Sequence, residues 1–392
     1  MTGGQPRDVF LVAGEKSGDE LGYKLMRALR DAAGGDIRLR GVGGEAMERE
    51  GLKSLFPQSD IAVMGFLPVI ARLPTLLRRI AETAEAVIAD PPDVLVIIDS
   101  PDFTHRVAKR VRARLPHLPI VDYVSPTVWA WRPGRARKMR AYVDHVLALL
   151  PFEPEAHKRL GGPPTTYVGH PLIERLADLR PSAEEAQARS ALPPTVLLLP
   201  GSRRSEIGRL LALFGETAAR IEAQAGPVDF VLPAVTHLEG AIREGVSHWA
   251  KPPRIVLGEA EKLRAFRCAR AALAASGTVS LELALAGVPM VVAYRVSQIE
   301  ETIVRALATA PSVVLPNLIL GENVVPEFLQ EAASPEVLAG AVAALLPDGA
   351  AREAQVMGLA RLDGLMRLED GDTPSARAAR IVMGMAVAYP PP

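Results

Sequence analysis

The chain has 392 residues, which is more than one ordinary hydrophobic core accommodates and favours two domains. Hydrophobic residues make up 48% of the chain and charged residues 23%, which is the profile of a globular protein and excludes a disordered one. Lys and Arg number 45, as do Asp and Glu, so the net charge is zero and lacks the basic excess typical of nucleic-acid-binding proteins.

Cysteine usage and apolar runs bear on the compartment. The chain has one cysteine, Cys268, which excludes an internal disulfide and fits a reducing environment. Residues 1–8 lack the apolar region of a signal peptide, and no run reaches the ~18 apolar residues that a membrane-spanning helix needs. We therefore expect a cytoplasmic protein that can still touch a membrane surface.

The first half of the chain alternates short apolar runs with helical patterns. Residues 9–13 predict a buried strand, and Leu21 and Leu25 predict the apolar face of a following helix. Ser17 and Glu20 have the spacing of a capping box at the start of that helix. Further strands are predicted at 37–42, 93–98, 120–124, 145–150 and 166–168. Strands that alternate with helices predict a parallel, doubly wound sheet with right-handed crossovers.

The pattern loosens over 173–194, where Pro181 and the prolines at 193–194 punctuate a polar stretch that predicts a short helix and a linker. The alternation then restarts, which predicts a second doubly wound unit of similar size. Its strands are predicted at 196–199, 228–232, 255–257, 271–275 and 290–294. The predicted fold class is therefore α/β, with two doubly wound, Rossmann-like domains that face a central cleft and bind ligands beyond the carboxyl ends of their strands.

Two loops of the first half follow predicted strands and could bind a ligand or take part in a reaction. Residues 13–19 place glycines and Glu15 at a helix start, where backbone N–H groups can approach an anion; a plain tight turn is the alternative. Asp99 directly follows the strand at 93–98, where burial can raise the pKa of a carboxyl group and suit it to act as a general base. Asp99 or Asp102 could instead cap the next helix, and Asp102 is the better cap.

Two further segments of the first half suit lipid or phosphate binding. Trp129 and Trp131 stand beside five basic residues that begin at Arg132. This loop could bind a sugar phosphate or an anionic lipid head, or equally be a solvated basic helix anchored by packed indoles. Residues 64–79 are apolar despite two prolines, which suits an acyl-chain or membrane-surface patch, and the alternative is a buried, irregular helix pair. The apolar candidates in this segment are Met64, Phe66, Leu67, Val69, Leu73 and Leu76.

Two loops of the second half indicate a nucleotide site. Gly201, Ser202 and Arg203 follow a strand and open a helix, where a diphosphate would offset the unfavourable basic residue at a helix N-terminus. The second loop precedes a helix in which Glu282 could accept ribose hydroxyl protons or be an ordinary surface glutamate. The small residues that invite close approach of a phosphate here are Ser276, Gly277 and Thr278.

Several chemistries lack their motifs in this sequence. His and Cys spacings typical of metal sites and the Gly-x-Ser-x-Gly nucleophile elbow are both absent. Basic side chains and helix N-termini are then expected to stabilise a leaving diphosphate, with no metal and no cofactor.

An ordered set of motifs covers nearly the whole chain, from about Val9 to near Ala388. It comprises residues 13–19, 41–44, 99–103, 125–132, 169–171, 199–203, 276–282 and 316–318. Each motif is weak alone, but in this order they resemble the lipid-A-disaccharide synthase family. The resemblance implies a GT-B fold, with an acceptor- and lipid-binding domain at 1–172, a UDP-sugar-binding domain at 173–364, and a last helix at about 365–392 that completes the first domain.

The resemblance also implies a reaction. A 2,3-diacylglucosamine moves from its UDP donor to 2,3-diacylglucosamine 1-phosphate, with inversion to a β-1,6 linkage. Asp99 matches the family's base candidate, and Glu15 is the second carboxylate of interest. At Glu322 the chain has an acid where the resemblance implies a basic residue. The positions expected around UDP are Gly201, Ser202, Arg203, Ser276, Gly277, Thr278, Glu282 and Asn317.

The substrates of that family carry acyl chains, so the resemblance gives weight to the apolar segment at 64–77. It implies peripheral association with the inner face of the inner membrane, and a homodimer is compatible with it. Two other functions compete. A sugar-nucleotide epimerase would share the UDP loops but would not need the apolar segment or the tryptophan loop. A non-catalytic membrane-associated sugar-nucleotide sensor would bind UDP without turnover and would not need Asp99.

Overall fold

The computed structural model describes residues 8–61, 66–296, 310–368 and 371–388, with side chains described for all of these except 66–72 and 386–388. The described residues divide into two compact units. The first comprises the chain up to Pro171 together with the residues from Leu368 onward, and the second comprises Leu172–Arg367. In the described part of the chain, no helix is both long and apolar enough to cross a membrane.

The first unit is built on a parallel six-stranded sheet. Its strands are β1 (Asp8–Ala13), β2 (Arg38–Val42), β3 (Val94–Ile98), β4 (Ile120–Tyr123), β5 (His145–Ala148) and β6 (Thr165–Tyr167). They are ordered β2-β1-β3-β4-β5-β6, and every neighbouring pair is parallel. The strand order therefore reverses between β1 and β3. In open α/β sheets, ligands bind at the carboxyl ends of the strands beside such a reversal.

Helices cover both faces of this sheet. They are α1 (Lys16–Ala32), α2 (Glu45–Arg49), α3 (Phe66–Ala89), α4 (Pro101–Arg114), α5 (Gly134–Met139) and α6 (Glu153–Arg159), with a 3-10 turn at Gln58–Asp60. All five residues of β3 are buried, because a central parallel strand has an apolar core on each face. The capping box expected at Ser17 and Glu20 is wrong, since α1 begins at Lys16 and Glu15 holds the N-cap position without a side-chain hydrogen bond.

The second unit repeats the architecture. Its strands are β7 (Thr195–Leu199), β8 (Asp229–Ala234), β9 (Arg254–Leu257), β10 (Ala271–Ala275), β11 (Met290–Tyr294) and β12 (Glu327–Leu329). The parallel sheet has the order β12-β11-β10-β7-β8-β9, so its reversal lies between β7 and β10. Strand β12 was not predicted, because three residues after Pro326 show no period that distinguishes a strand from a loop.

Short helices fill the segment at 173–194, and longer helices pack on the second sheet. The helices of this unit are α7 (Leu176–Leu179), α8 (Ala183–Ala188), α9 (Arg204–Ala225), α10 (Glu239–Val246), α11 (Glu259–Cys268), α12 (Thr278–Leu285), α13 (Leu315–Leu320), α14 (Pro335–Ala343), α15 (Ala350–Ala360) and α16 (Leu362–Met366). The 3-10 turns are Pro171–Arg175, Thr236–Leu238 and Gln330–Ala332. The prediction of two parallel, doubly wound sheets is confirmed.

The last helix, α17 (Pro374–Ala388), returns to the first unit. Its buried residues Ala378 and Val382 share an apolar core with Leu25 and Leu29 of α1. The two ends of the described chain therefore stabilise the same domain, and the contribution comes from burial of apolar surface against α1.

Candidate active site

Asp99 lies at the carboxyl end of β3, beside the reversal of the first sheet. Its backbone has φ +54° and that of Ser100 has φ +46°, a left-handed conformation that is uncommon outside glycine and concentrates at functional sites. Ser100 occupies the N-cap position of α4, so neither aspartate caps that helix as the sequence suggested. The side chain of Asp102 is 87% exposed and lies 3.6 Å from Arg135.

Two donors hold the Asp99 carboxylate. The backbone N–H of Ser100 donates to Oδ1 at 2.7 Å. The Ser17 hydroxyl, from the loop after β1, donates to Oδ2 at 2.7 Å. These two hydrogen bonds fix the direction of the carboxylate. Because Asp99 is only half-buried, the carboxylate is still open to a ligand. A fixed and accessible carboxylate is what a general base requires before its substrate arrives.

The glycines after β1 bring this loop close to Asp99. A Cβ at Gly14 would lie 2.4 Å from the Cβ of Ser100, and one at Gly18 would lie 3.0 Å from the carbonyl oxygen of Ile98. Neither position has room for a larger side chain without displacement of the neighbouring loop. The glycines therefore serve the packing of two loops, and the prediction that they cradle an anion remains a prediction.

Two acids of the same loop differ in their roles. Asp19 is buried and accepts three backbone N–H groups at the start of α2, from Gly44 at 2.8 Å, Ala46 at 2.9 Å and Met47 at 3.0 Å. It thus fixes α2 and has no free face for chemistry. Glu15 is half-buried at the N-cap of α1, two residues before Ser17, and its role as a second catalytic carboxylate stays a prediction.

The tryptophan loop divides into a packed and an open part. Trp129 is half-buried, donates from Nε1 to Glu153 Oε1 at 3.1 Å, and meets the Phe152 ring edge-on with centroids 5.1 Å apart. Arg132 is exposed and stacks its guanidinium over the Trp131 ring at 5.3 Å. Trp129 is therefore an anchored indole, and Trp131 with Arg132 remains a candidate for a phosphate or lipid head.

Glu153 and His157, which the sequence analysis missed, support this loop from α6. Glu153 is buried and also accepts the Leu150 N–H at 2.9 Å. The Ser125 hydroxyl lies 2.8 Å from His157 Nε2. Burial raises the pKa of Glu153 to about 7 and lowers that of His157 to about 4. An acid at a helix start shortly after an apolar strand was the available signal, but burial of Glu153 cannot be read from local sequence.

We expect Glu153→Gln to change how stability depends on pH. With its pKa raised from 4.5 to about 7, folded Glu153 keeps a proton that the unfolded chain releases, so its contribution is full below pH 4.5 and is lost as pH rises through about 7. Glutamine removes this loss, so the free energy of unfolding of the variant relative to the native chain rises between about pH 5 and pH 8, by up to about 3 kcal/mol.

Urea denaturation of both proteins at the two pH values measures this difference. Comparing the two proteins at each pH cancels the opposite titration of His157, whose stability contribution is lost as pH falls toward 4. An equal difference at both pH values would contradict the raised pKa.

The apolar segment lies on α3, which is one helix with Pro74 inside it and not a helix pair. Leu73 and Leu77 are each 41% exposed, whereas Leu76 packs against the core of the first unit. Met64 lies outside the described residues, as do the side chains of the three remaining candidates, Phe66, Leu67 and Val69.

At the reversal of the second sheet, Glu206 occupies the cradle predicted for a diphosphate. Its Oε2 accepts the N–H groups of Ser202 at 3.0 Å and Arg203 at 3.2 Å, and its Oε1 pairs with Arg203 Nη1 at 3.1 Å. A Cβ at Gly201 would lie 2.4 Å from Glu206 Oε2. The side chain of Arg203 is 67% exposed, so it is open to a larger anion. A carboxylate of the chain itself shows that this turn stabilises negative charge.

The loop after β10 lies on the other side of the same reversal. Ser276 Oγ donates to the Val313 carbonyl at 2.7 Å, and Gly277 holds the N-cap of α12 with φ +149°. Thr278 begins α12 and is exposed. Glu282 is not an ordinary surface glutamate, because it is largely buried and its Oε1 accepts from Lys262 Nζ at 2.9 Å.

Asn317 and Glu322 are engaged within the second unit. The buried Asn317 carboxamide donates to the Val325 carbonyl at 2.9 Å and accepts the Val325 N–H at 2.8 Å, which clamps the turn between them. Glu322 pairs with Arg361. The structure thus gathers two of the predicted UDP loops at one reversal, at 201–203 and 276–278, and gives Asn317 a supporting contact.

The chain is similar to known proteins both in sequence and in structure. A family model described as lipid-A-disaccharide synthetase matches residues 9–377. A lipid-A-disaccharide synthase of Nitrobacter hamburgensis is 59% identical over 377 residues, which cover 96% of this chain and 95% of that one. Among solved structures, the glycotransferase of kitacinnamycin has a TM-score of 0.61 at 18% identity and covers 99% of this chain and 100% of its own.

A UDP-GlcNAc 2-epimerase from Neisseria meningitidis bound to UDP-GlcNAc has a TM-score of 0.57 at 11% identity, with coverage of 97% of this chain and 100% of that one. At such identities a structural likeness shows the fold alone, which is of the GT-B type. The fold is shared by transferases and an epimerase, so the choice between these reactions depends on the sequence comparisons and on the residues of the site.

Proposed function

The chain belongs to the lipid-A-disaccharide synthase family of glycosyltransferases, and we propose that it transfers 2,3-diacylglucosamine from UDP-2,3-diacylglucosamine to 2,3-diacylglucosamine 1-phosphate. The products of this transfer are a β-1,6-linked disaccharide 1-phosphate and UDP. The observation that carries the proposal is the Asp99 carboxylate, which two donors fix beside the reversal of the first sheet and which is only half-buried.

The proposed chemistry is a single displacement. The acceptor 6-hydroxyl oxygen attacks C1 of the donor sugar, and Asp99 takes the hydroxyl proton as the new C–O bond forms. The bond between C1 and the diphosphate oxygen breaks, and its electron pair leaves with UDP. One displacement on an α-linked donor gives a β-linked product. One positioned base is enough for this step, and Glu15 is proposed to face the same acceptor.

The donor is proposed to bind at the carboxyl ends of β7 and β10. The diphosphate gains negative charge as it leaves, and Arg203 together with the N-termini of α9 and α12 can stabilise that charge. The Ser202 and Arg203 N–H groups are now donated to Glu206, so the diphosphate would replace the Glu206 carboxylate on them. Ser276, Gly277 and Thr278 are proposed to approach the diphosphate, and Glu282 the ribose.

The acyl chains are proposed to contact α3, and the acceptor phosphate to contact Arg132. Leu73 and Leu77 present apolar surface on α3, and Arg78, which follows Leu77, is exposed and basic. Such a combination suits contact with lipid at a membrane surface. We therefore propose that the enzyme works at the inner face of the inner membrane, where diacylated substrates are available.

Acyl dependence of UDP release tests the proposed function. UDP is measured from the diacylated donor with the diacylated acceptor, with a deacylated acceptor, and with no acceptor. Release that requires the diacylated acceptor supports transfer to lipid. If the protein binds UDP but produces no UDP from the donor, the sugar-nucleotide sensor is favoured. If the donor sugar is converted in the absence of an acceptor, an epimerase is favoured.

A further inference from the structure

Ser17 is an exposed residue in the first turn of α1, and we propose that it is a positioning residue that orients the Asp99 carboxylate for proton transfer. This inference rests on the proposed role of Asp99 as the base. It assigns a role in the reaction to a hydroxyl group that has no capping role in its own helix.

The two hydrogen bonds on Asp99 leave a defined direction open. Oδ1 accepts the Ser100 N–H and Oδ2 accepts the Ser17 hydroxyl, each at 2.7 Å. A carboxylate offers about four lone-pair directions, so each oxygen retains one after these bonds. With both oxygens held, the carboxylate cannot rotate about its Cβ–Cγ bond without loss of a short hydrogen bond to an ionised acceptor, which is stronger than a neutral one. The remaining lone pair of each oxygen is thereby held in a fixed direction and is open to an incoming hydroxyl group.

The surrounding backbone is built for this contact. Gly18, the neighbour of Ser17, approaches the Ile98 carbonyl so closely that its added Cβ would lie 3.0 Å away. Gly14 makes an even closer approach to the Ser100 side chain. On the other side, Asp99 and Ser100 adopt positive φ values, which turn the carboxylate toward the loop after β1. The Ser17–Asp99 bond joins residues 82 positions apart and is the functional contact that this close packing permits.

The exposure of Ser17 separates this role from a structural one. Because Ser17 is exposed and Asp99 is only half-buried, water can solvate the carboxylate when the hydroxyl is removed, so the net change in stability is small and the thermal midpoint should stay nearly unchanged. A loss of turnover in a stably folded variant would then come from the geometry of the base. Misplacement of a catalytic group by about 1 Å can cost about 100-fold in rate.

The test compares Ser17→Ala with Ser17→Thr in the full chain with both diacylated substrates. We expect Ser17→Ala to lower kcat by about 10- to 100-fold and to leave both KM values within about twofold. Ser17→Thr should restore most of kcat, because it keeps a hydroxyl group at this exposed position. Glu20→Gln, one turn further along the exposed face of α1, is the matched control and should be indistinguishable from the native enzyme.

A double variant makes the dependence on Asp99 explicit. If Ser17 acts through Asp99, Ser17→Ala should have no further effect on the residual rate of Asp99→Asn. If Ser17→Ala keeps more than half of kcat while Asp99→Asn is inactive, Ser17 has no positioning role and the proposed function is unaffected. If Asp99→Asn itself keeps turnover, the proposed function loses its base and the role of Ser17 is overturned with it.

Discussion

Asp99→Asn is expected to lower kcat by about 10²- to 10⁴-fold, the range for loss of a positioned general base. The asparagine is isosteric, so its oxygen can still accept the Ser100 N–H, and its amide can face the Ser17 hydroxyl, which also accepts. The fold and UDP binding should therefore persist. What is lost is the lone pair that takes the proton of the acceptor hydroxyl, because an amide nitrogen cannot serve as that base.

Asp102→Asn is the matched control for this variant. Asp102 lies three residues further on, in the first turn of α4. Its substitution by asparagine removes the same charge from the same segment. Its side chain is 87% exposed and its pairing with Arg135 is long, at 3.6 Å, so little depends on it. Near-native turnover is expected for Asp102→Asn. Turnover of Asp99→Asn within about tenfold of the native enzyme would remove Asp99 from the base role.

Arg203→Ala is expected to raise the KM for the donor by about 10- to 100-fold, which corresponds to loss of charge-assisted hydrogen bonds. The guanidinium is two-thirds exposed at the reversal of the second sheet, and its described side-chain partner is Glu206, an anion that stands where the diphosphate is proposed to bind. Arg203→Lys should lie between the native enzyme and the alanine variant, because it keeps the charge but not the planar fork.

Arg220→Ala provides the control, since it removes one arginine from α9, the helix that Arg203 caps, far from the loop. Arg220 forms a surface ion pair with Glu336, which should contribute little. Steady-state kinetics with varied donor at saturating acceptor give the comparison. If the KM for the donor in Arg203→Ala equals that of the native enzyme, the assignment of Arg203 to the diphosphate is contradicted.

The sequence predicted the sheets well because their signal is local. The runs before Asp99 and before Gly201 are continuously apolar, as central parallel strands are, and β10 and β11 have the predicted bounds. The loops that follow β1, β3, β7 and β10 could also be found, since the alternation of strands and helices places them at carboxyl ends. The return of α17 to the first unit was implied by the family resemblance alone. The hydrophobic periodicity of a helix does not show which distant helix it packs against.

The contacts within the site could not be predicted from local pattern. The Ser17–Asp99 bond spans 82 residues, and the spacing of Ser17 and Glu20 favoured a capping box instead. The positive φ of Asp99 could not be predicted, because residues other than glycine uncommonly adopt it. Glu206 was not expected in the diphosphate cradle, and the Asn317 clamp was not expected either, because both depend on where a side chain turns after the backbone has folded.

Mass spectrometry of the lipid products tests the central claim most directly. The full chain is mixed with UDP-2,3-diacylglucosamine and 2,3-diacylglucosamine 1-phosphate in detergent, with excess chelator. We predict a tetraacylated disaccharide 1-phosphate and an equal amount of UDP. Absence of the disaccharide, from protein that is folded and still binds UDP, would contradict the assignment of this chain as an enzyme that joins the two diacylated sugars.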